Sequence, residues 1–280
     1  MGALALAVKS YIPRMHVTSL YRYPIKGCRG HAVASLDIEL LGPVGDRRLM
    51  LVDSRDRFLS QRERPQLATI TPTLKGETLS ATAPGLGTLN HVLATDGAIR
   101  TVSIWASDEL QVVDQGDAVA AWFSSAIGQS CRLVRCGAMT HRPIDPTYSP
   151  RPDAETTFTD GYPVLAVTDA SLEDLNRHLA IPVPIGRFRP NIVVGGATPW
   201  NEDAWRAVAV GEVILDAVKP CVRCVVTTTN QETGDRDAGQ EPLRTLARIH
   251  TLPQFGVSFG QNLVPRGAGV IRVGDPVGPA

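Results

Sequence analysis

Cys221 and Cys224, in Lys219-Pro220-Cys221-Val222-Arg223-Cys224, are the side chains whose type and spacing most directly suggest chemistry. A Cys-x-x-Cys pair serves a dithiol redox couple, half of a zinc site, or a thiolate offered to a soft metal. Structural zinc needs four ligands. The six histidines (His16, His31, His91, His141, His178, His250) stand singly, and no second close cysteine pair exists, so zinc is disfavoured. A thioredoxin-like pair opens a helix. Here the β-branched run Val225-Val226-Thr227-Thr228-Thr229 follows, which predicts a strand over Val222–Thr228. That both cysteines are simply small buried residues is as well supported by this segment as any function.

Cations gather around the pair and elsewhere. Lys219 and Arg223 would favour a thiolate. Strand alternation turns Arg223 to the face opposite Cys224, which suits an anion contact or a structural ion pair. In Arg187-Phe188-Arg189-Pro190-Asn191 two arginines flank an aromatic ring and could clamp a phosphate; idle surface arginines are the commoner outcome. Tyr23-Pro24-Ile25-Lys26-Gly27-Cys28-Arg29-Gly30 runs from a strand into a glycine-bracketed loop with two cations, without the Gly-Lys-Ser/Thr of a P-loop. Gly45-Asp46-Arg47-Arg48 enters an aliphatic strand, where a solvated turn is the default.

The elements that must position these groups are mostly strands. Short β-branched or aliphatic stretches lie at His16–Tyr23, Ala34–Leu40, Arg48–Asp53, Gln66–Ile70, Ile99–Trp105 and Leu110–Asp114. Others lie at Pro163–Val167, Asn191–Gly195, Ala207–Val210, Val213–Val218 and Val270–Gly274. Helical spacing is confined to Ala118–Ile127, capped by Asp117, to Ala170–Leu179 behind Asp169, and to a short segment from Glu241-Pro242. Pro143, Pro146, Pro150 and Pro152 mark residues 137–162 as a linker or long functional loop. The organisation predicted is thus residues 14–136, a connecting segment 137–162, and residues 163–280. The fold class is α+β and β-rich, with barrel-like domains carrying a few short helices.

Composition sets the outer limits. With 280 residues and 43% apolar content the chain can bury a sizeable core. Its 28 basic and 28 acidic residues cancel, so nucleic acid is not an expected partner. Five cysteines (Cys28, Cys131, Cys136, Cys221, Cys224) are too few for a stapled secreted domain. Met1–Val8 is too short for a signal core, and no run reaches the roughly 18–20 apolar residues of a spanning helix. A soluble cytoplasmic protein without a membrane partner is expected.

In register, the segments YPIKGCRG (23–30), GDRRLMLVD (45–53), FLSQRERPQLATITP (58–72), RFRPNIVV (187–194), EDAW (202–205), VKPCVRCVVTTTNQETG (218–234), EPLRTLAR (241–248) and FGQN (259–262) resemble the MOSC family. The likeness is to its two-part form, an N-terminal MOSC β-barrel domain followed by the MOSC domain, in the branch that reduces and so detoxifies N-hydroxylated compounds. The resemblance implies a Mo-molybdopterin cofactor whose metal is held by Cys224. It carries cofactor contacts to Lys26, Arg47, Arg189 and Arg223, and to Gly27, Gly161, Tyr162, Asn191, Val222 and Asn262 around them. Gly27, Val222, Gly161 and Tyr162 stand where relatives often carry hydroxyl side chains, which bears on substrate range. Asp203 and Asn191 would shape the site. No iron–sulfur cysteine spacing or nucleotide loop is present, so electrons are expected from a separate ferredoxin- or cytochrome-type donor with its reductase. Two other readings stand beside this one: a sulfur carrier with a persulfide on Cys224, and a non-catalytic cofactor chaperone.

Overall fold

A computed structural model describes residues 15–280; the expectation for Met1–Val8 lies outside the described residues. The fold is β-rich, with four sheets and three α-helices among the described residues. The largest sheet runs in the order Val277–Pro279, Ala207–Val210, Val213–Val222, Gly256–Pro265, Val164–Thr168, Ile192–Gly195, His16–Arg22 and His31–Val33. Its neighbours are antiparallel except Val164–Thr168 and Ile192–Gly195, which are parallel. A parallel pair needs a crossover, and the helix Asp169–Arg177 supplies it.

This sheet is not assembled from one half of the chain. His16–Arg22 pairs with Ile192–Gly195, and Ser35–Glu39 pairs with Gly269–Arg272. The reason is apolar: Val17, Leu20, Leu36 and Ile38 share one buried cluster with Ile192, Val194, Leu215 and Ile271. A second core gathers Leu49, Leu51, Leu67, Phe123 and Leu133 beneath the helix Asp117–Ile127. The four-stranded sheet beside it runs Leu49–Val52, Arg132–Cys136, Ser107–Asp114, Ile99–Ile104.

Several local expectations are corrected. Gln66–Ile70 is not a strand; Pro65–Thr69 forms a 3₁₀ turn that buries Leu67 and Ala68. The strand expected over Val222–Thr228 ends at Val222, and Val225–Thr228 is a 3₁₀ turn. There the Thr227 and Thr228 hydroxyls donate back to the carbonyls of Cys224 (2.9 Å) and Val225 (2.8 Å), the local bonding by which threonine competes with a sheet. The cap of Asp169–Arg177 is Thr168, whose hydroxyl oxygen accepts from the Ser171 amide. Asp117 lies in the first turn of its helix behind Gly116 and pairs with Arg132 at 2.9 Å. Pro242 precedes Leu243–Ile249 instead of opening it.

Residues 137–162 contain no strand or helix, yet they are fixed. Ile144 and Ala154 are buried against Val264. The buried Arg142 guanidinium donates to the carbonyls of Thr157 (2.7 Å) and Thr159 (2.8 Å), which holds the stretch leading to Asp160. No helix among the described residues is long and apolar enough to cross a membrane.

Candidate functional site

A cavity of about 370 Å³ opens where the loop after His16–Arg22, the end of the Arg142-anchored segment, Phe188–Asn191 and the strand end at Val222 converge. Lys26, Gly27, Arg47, Gly161, Tyr162, Arg189, Asn191, Val222, Arg223, Cys224 and Asn262, separated by up to hundreds of positions in sequence, all line it. Asp203 does not; it accepts from Nε2 of His250 at 2.8 Å, away from the cavity lining.

The cations are held by a chain of contacts. Lys26 donates its amide to the Leu49 carbonyl (2.8 Å) and its ammonium to Asp160 Oδ1 (2.5 Å). Burial pulls that ammonium down to about 8, although Asp160 supports its charge. Desolvation by neighbouring groups opposes the charge of Asp160, whose side chain is largely exposed, but Lys26, Arg62 and Arg189 outweigh it and hold the carboxyl well below the usual range. Arg47 sits in left-handed backbone (φ 46°). Its guanidinium bonds the Asp46 carboxylate, donates to the Arg189 carbonyl at 2.9 Å, and lies 4.0 Å from the Tyr23 ring centroid. Arg189 is also left-handed (φ 58°) and lies 4.5 Å from the same ring. Burial and the neighbouring Arg47 pull its guanidinium down to about 10. Its hydrogen bond goes to the Gln231 side-chain oxygen at 3.3 Å, and no carboxylate pairs with it among the described residues.

The cysteine segment is positioned from the neighbouring strand. The Arg223 amide donates to the Val257 carbonyl (2.8 Å), and Cys224 follows in extended backbone (φ −135°, ψ −177°) at the corner before the 3₁₀ turn. The Arg223 guanidinium reaches Cys221 Sγ (2.7 Å) and the Phe188 carbonyl (2.8 Å), while its Nε is buried without a partner. Burial pushes the Cys221 thiol up, against the pull of Arg223. Alternation pairs Arg223 with Cys221, and both line the cavity together with Cys224. Asn191 is buried and structural in its contacts: it accepts from the Leu165 amide (3.2 Å) and donates to the Tyr21 carbonyl (3.3 Å). The Gly27 carbonyl accepts from Gln61 at 2.6 Å.

Sequence reasoning did not single out Gln61, Arg62, Trp105 or Asp160, which also line the cavity. Gln61 and Arg62 fall inside the 58–72 motif. Trp105 gave a usable signal, a large aromatic at the end of a strand followed by Ala106-Ser107.

The lining carries six cations (Lys26, Arg47, Arg62, Arg189, Lys219, Arg223) against one carboxylate, Asp160. In a chain whose charges cancel, that concentration marks a site for a polyanion. Residues 14–130 match the MOSC N-terminal beta barrel domain and residues 153–278 match the MOSC domain. The chain belongs to the MOSC family. Among its MOSC relatives, it is 33% identical to mitochondrial amidoxime reducing component 2 of Rattus norvegicus, over 93% of this chain and 82% of that protein. It is 32% identical to mitochondrial amidoxime-reducing component 1 of Homo sapiens, again over 93% and 82%. It is also 29% identical to the molybdenum cofactor sulfurase of Oryza sativa subsp. japonica, over 83% of this chain and 30% of that protein.

Proposed function

We propose that the cavity holds Mo-molybdopterin, with the Cys224 thiolate as the protein ligand of the metal, and that the chain reduces N-hydroxylated compounds with electrons from a separate protein. The observation that carries this reading is the six-to-one excess of cations around a cavity that also contains Cys224. Buried cations without partners are unfavourable by themselves. Arg189 lacks a carboxylate and Arg223 Nε lacks any partner, so a phosphate-bearing, dithiolene-bearing anion is the kind of group these donors fit. A soft thiolate beside them suits a metal already bound by sulfur.

The chain's own residues divide the work. Lys26 and Arg189 supply charge and donors to the phosphate. Arg47, tied to Asp46 and to the Arg189 carbonyl, holds Arg189 in its left-handed backbone. Arg223 fixes the cysteine segment against Phe188 and engages Cys221 Sγ. Gly27 and Gly161 offer backbone, and Tyr162, Asn191, Val222 and Asn262 shape the wall. The bound cofactor supplies the two-electron redox chemistry. The overall change replaces N–OH by N–H and releases water, consuming two electrons and two protons. Lys26 Nζ, bonded to Asp160, holds its proton at the cavity wall. The donor, of ferredoxin or cytochrome type, is external because the five cysteines lack iron–sulfur spacing.

The likeness to a molybdenum cofactor sulfurase favours a second reading, a persulfide carrier on Cys224. One measurement separates the two. Purified protein with near-equimolar molybdenum and pterin, reducing benzamidoxime with chemically reduced viologen, supports the reductase. Metal-free protein with a persulfide on Cys224 by mass spectrometry refutes it.

A further inference from the structure

Trp105 stands at the tip of the hairpin Ile99–Ile104/Ser107–Asp114, in left-handed backbone (φ 54°) that a bulky side chain adopts only under strain. The hairpin does not bury it: Trp105 is 37% exposed and forms part of the cavity lining. Its ring rests on Phe58 at 4.5 Å. The Arg62 guanidinium lies over it, 4.3 Å from the ring centroid. Arg62 is an exposed residue whose guanidinium forms no hydrogen bond or ion pair among the described residues, so this stacking is its one close engagement. It also lies near enough to Asp160 to lower that carboxyl. The contact thus places a planar N–C–N group over an indole, near a carboxylate that Lys26 already pairs.

Amidoximes, N-hydroxyguanidines and N-hydroxylated purines carry the same planar N–C–N unit. We propose that Trp105 is the platform on which that unit of the substrate lies, and that Arg62 is a built-in competitor which the substrate displaces. This rests on the reductase reading above and adds the residues that select planar substrates. A guanidinium that is exposed and held by one aromatic face leaves cheaply, whereas a neutral or cationic amidine gains the same face and the same carboxylate.

The two residues therefore have opposite effects, which a bystander role would not produce. Benzamidine, a planar amidine with no N–O bond, is titrated calorimetrically into the protein as purified. Arg62→Ala should tighten its binding by about twofold to fivefold, the worth of an exposed cation–π contact. Trp105→Ala should weaken it by about twofold to thirtyfold, and Trp105→Phe should fall between. In turnover, the ratio of KM for benzamidoxime to KM for hydroxylamine, which is too small to stack, should rise in Trp105→Ala and fall in Arg62→Ala. Benzamidine binding that is absent in wild type and Arg62→Ala alike, unchanged in Trp105→Ala, or weakened in Arg62→Ala overturns the proposal. The predicted order of binding in protein that reduces neither compound upholds this platform and refutes the reductase reading.

Discussion

Replacing Arg189 by alanine tests the anion site through two consequences of opposite sign. In the free protein Arg189 is a cost: burial and Arg47 hold its guanidinium at about 10, Asp160 offsets this only in part, and no carboxylate hydrogen-bonds it among the described residues. Such a charge is carried at an expense on the order of 1–3 kcal/mol. Stacking on Tyr23 at 4.5 Å returns about 0.5–1 kcal/mol of that. The left-handed backbone at φ 58° is equally strained in alanine, so strain cancels in the comparison. Cofactor-free Arg189→Ala should therefore keep its Tm or gain a few degrees, at about 2–4 °C per kcal/mol for a chain of this size. Cofactor binding should move the other way. Losing charge-assisted contacts of about 1.5–3 kcal/mol lowers affinity roughly 10–150-fold. Arg189→Lys should recover part of it, since the planar fork is lost but the charge remains. The assays are thermal melting of cofactor-free protein and molybdenum and pterin content after purification. A Tm that falls by more than about 4 °C while cofactor content is unchanged would show Arg189 to be a structural residue.

Cys224→Ala should abolish turnover while retaining part of the pterin, and Cys221→Ala should be much milder; equal loss from both would indicate a dithiol couple. Affinity for inorganic pyrophosphate, measured by calorimetry, should be full below about pH 8 and fall above it. The sign follows because Lys26 titrates near 8 and a bound anion raises that value, so binding takes up a proton in the window above 8. A flat profile from about pH 7 to about pH 9.5 would remove Lys26 from the anion site. Gly260→Ala should lower stability by about 2–4 kcal/mol, because at φ 82° its Cβ would meet Val167 Cγ1 at 2.6 Å and the Ala166 carbonyl at 2.7 Å. A melting curve within about 1 kcal/mol of wild type contradicts that packing. NADH alone should give no reduction of benzamidoxime, whereas reduced viologen should; turnover with NADH alone would reveal a nicotinamide site.

The β-rich character was legible because short aliphatic runs punctuated by glycine and proline are a local signal. His16–Arg22, Ile99–Ile104 and Ala207–Val210 lie where that signal puts them. Pairing was not legible. Nothing near Leu20 says that its partner is Ile192, because that choice is made by the shared apolar cluster. The run after Cys224 was misleading for a chemical reason. Valine and threonine favour strands by shape, but the threonine hydroxyls found the carbonyls of Cys224 and Val225 first, and the chain turned. That turn leaves Cys224 at a corner in the cavity wall.

Lys26, Arg47 and Arg189 stood out in the sequence because each lies beside glycine or proline in a turn, and the structure brings them to one cavity. Their division of labour was not. By residue type Arg47, Arg189 and Arg223 are equivalent anion contacts, yet two of the three are spent on carbonyls of the Phe188-Arg189 segment. Those two bonds hold the Phe188-Arg189 segment in place, and of the three only Arg47 pairs with a carboxylate. Asp160 was missed because local sequence there is uninformative, whereas Arg62, inside the 58–72 motif, and Trp105, at a strand end, carried signals that were not used. Asp160 follows a proline-rich loop held by long-range contacts such as those of Arg142, and Trp105 ends a strand whose pattern reads as core. A tryptophan turned out of its own hairpin by a left-handed residue has no counterpart in hydrophobic periodicity. The left-handed backbone at φ 54° shows only in the folded chain, where it turns the indole out to the cavity rim.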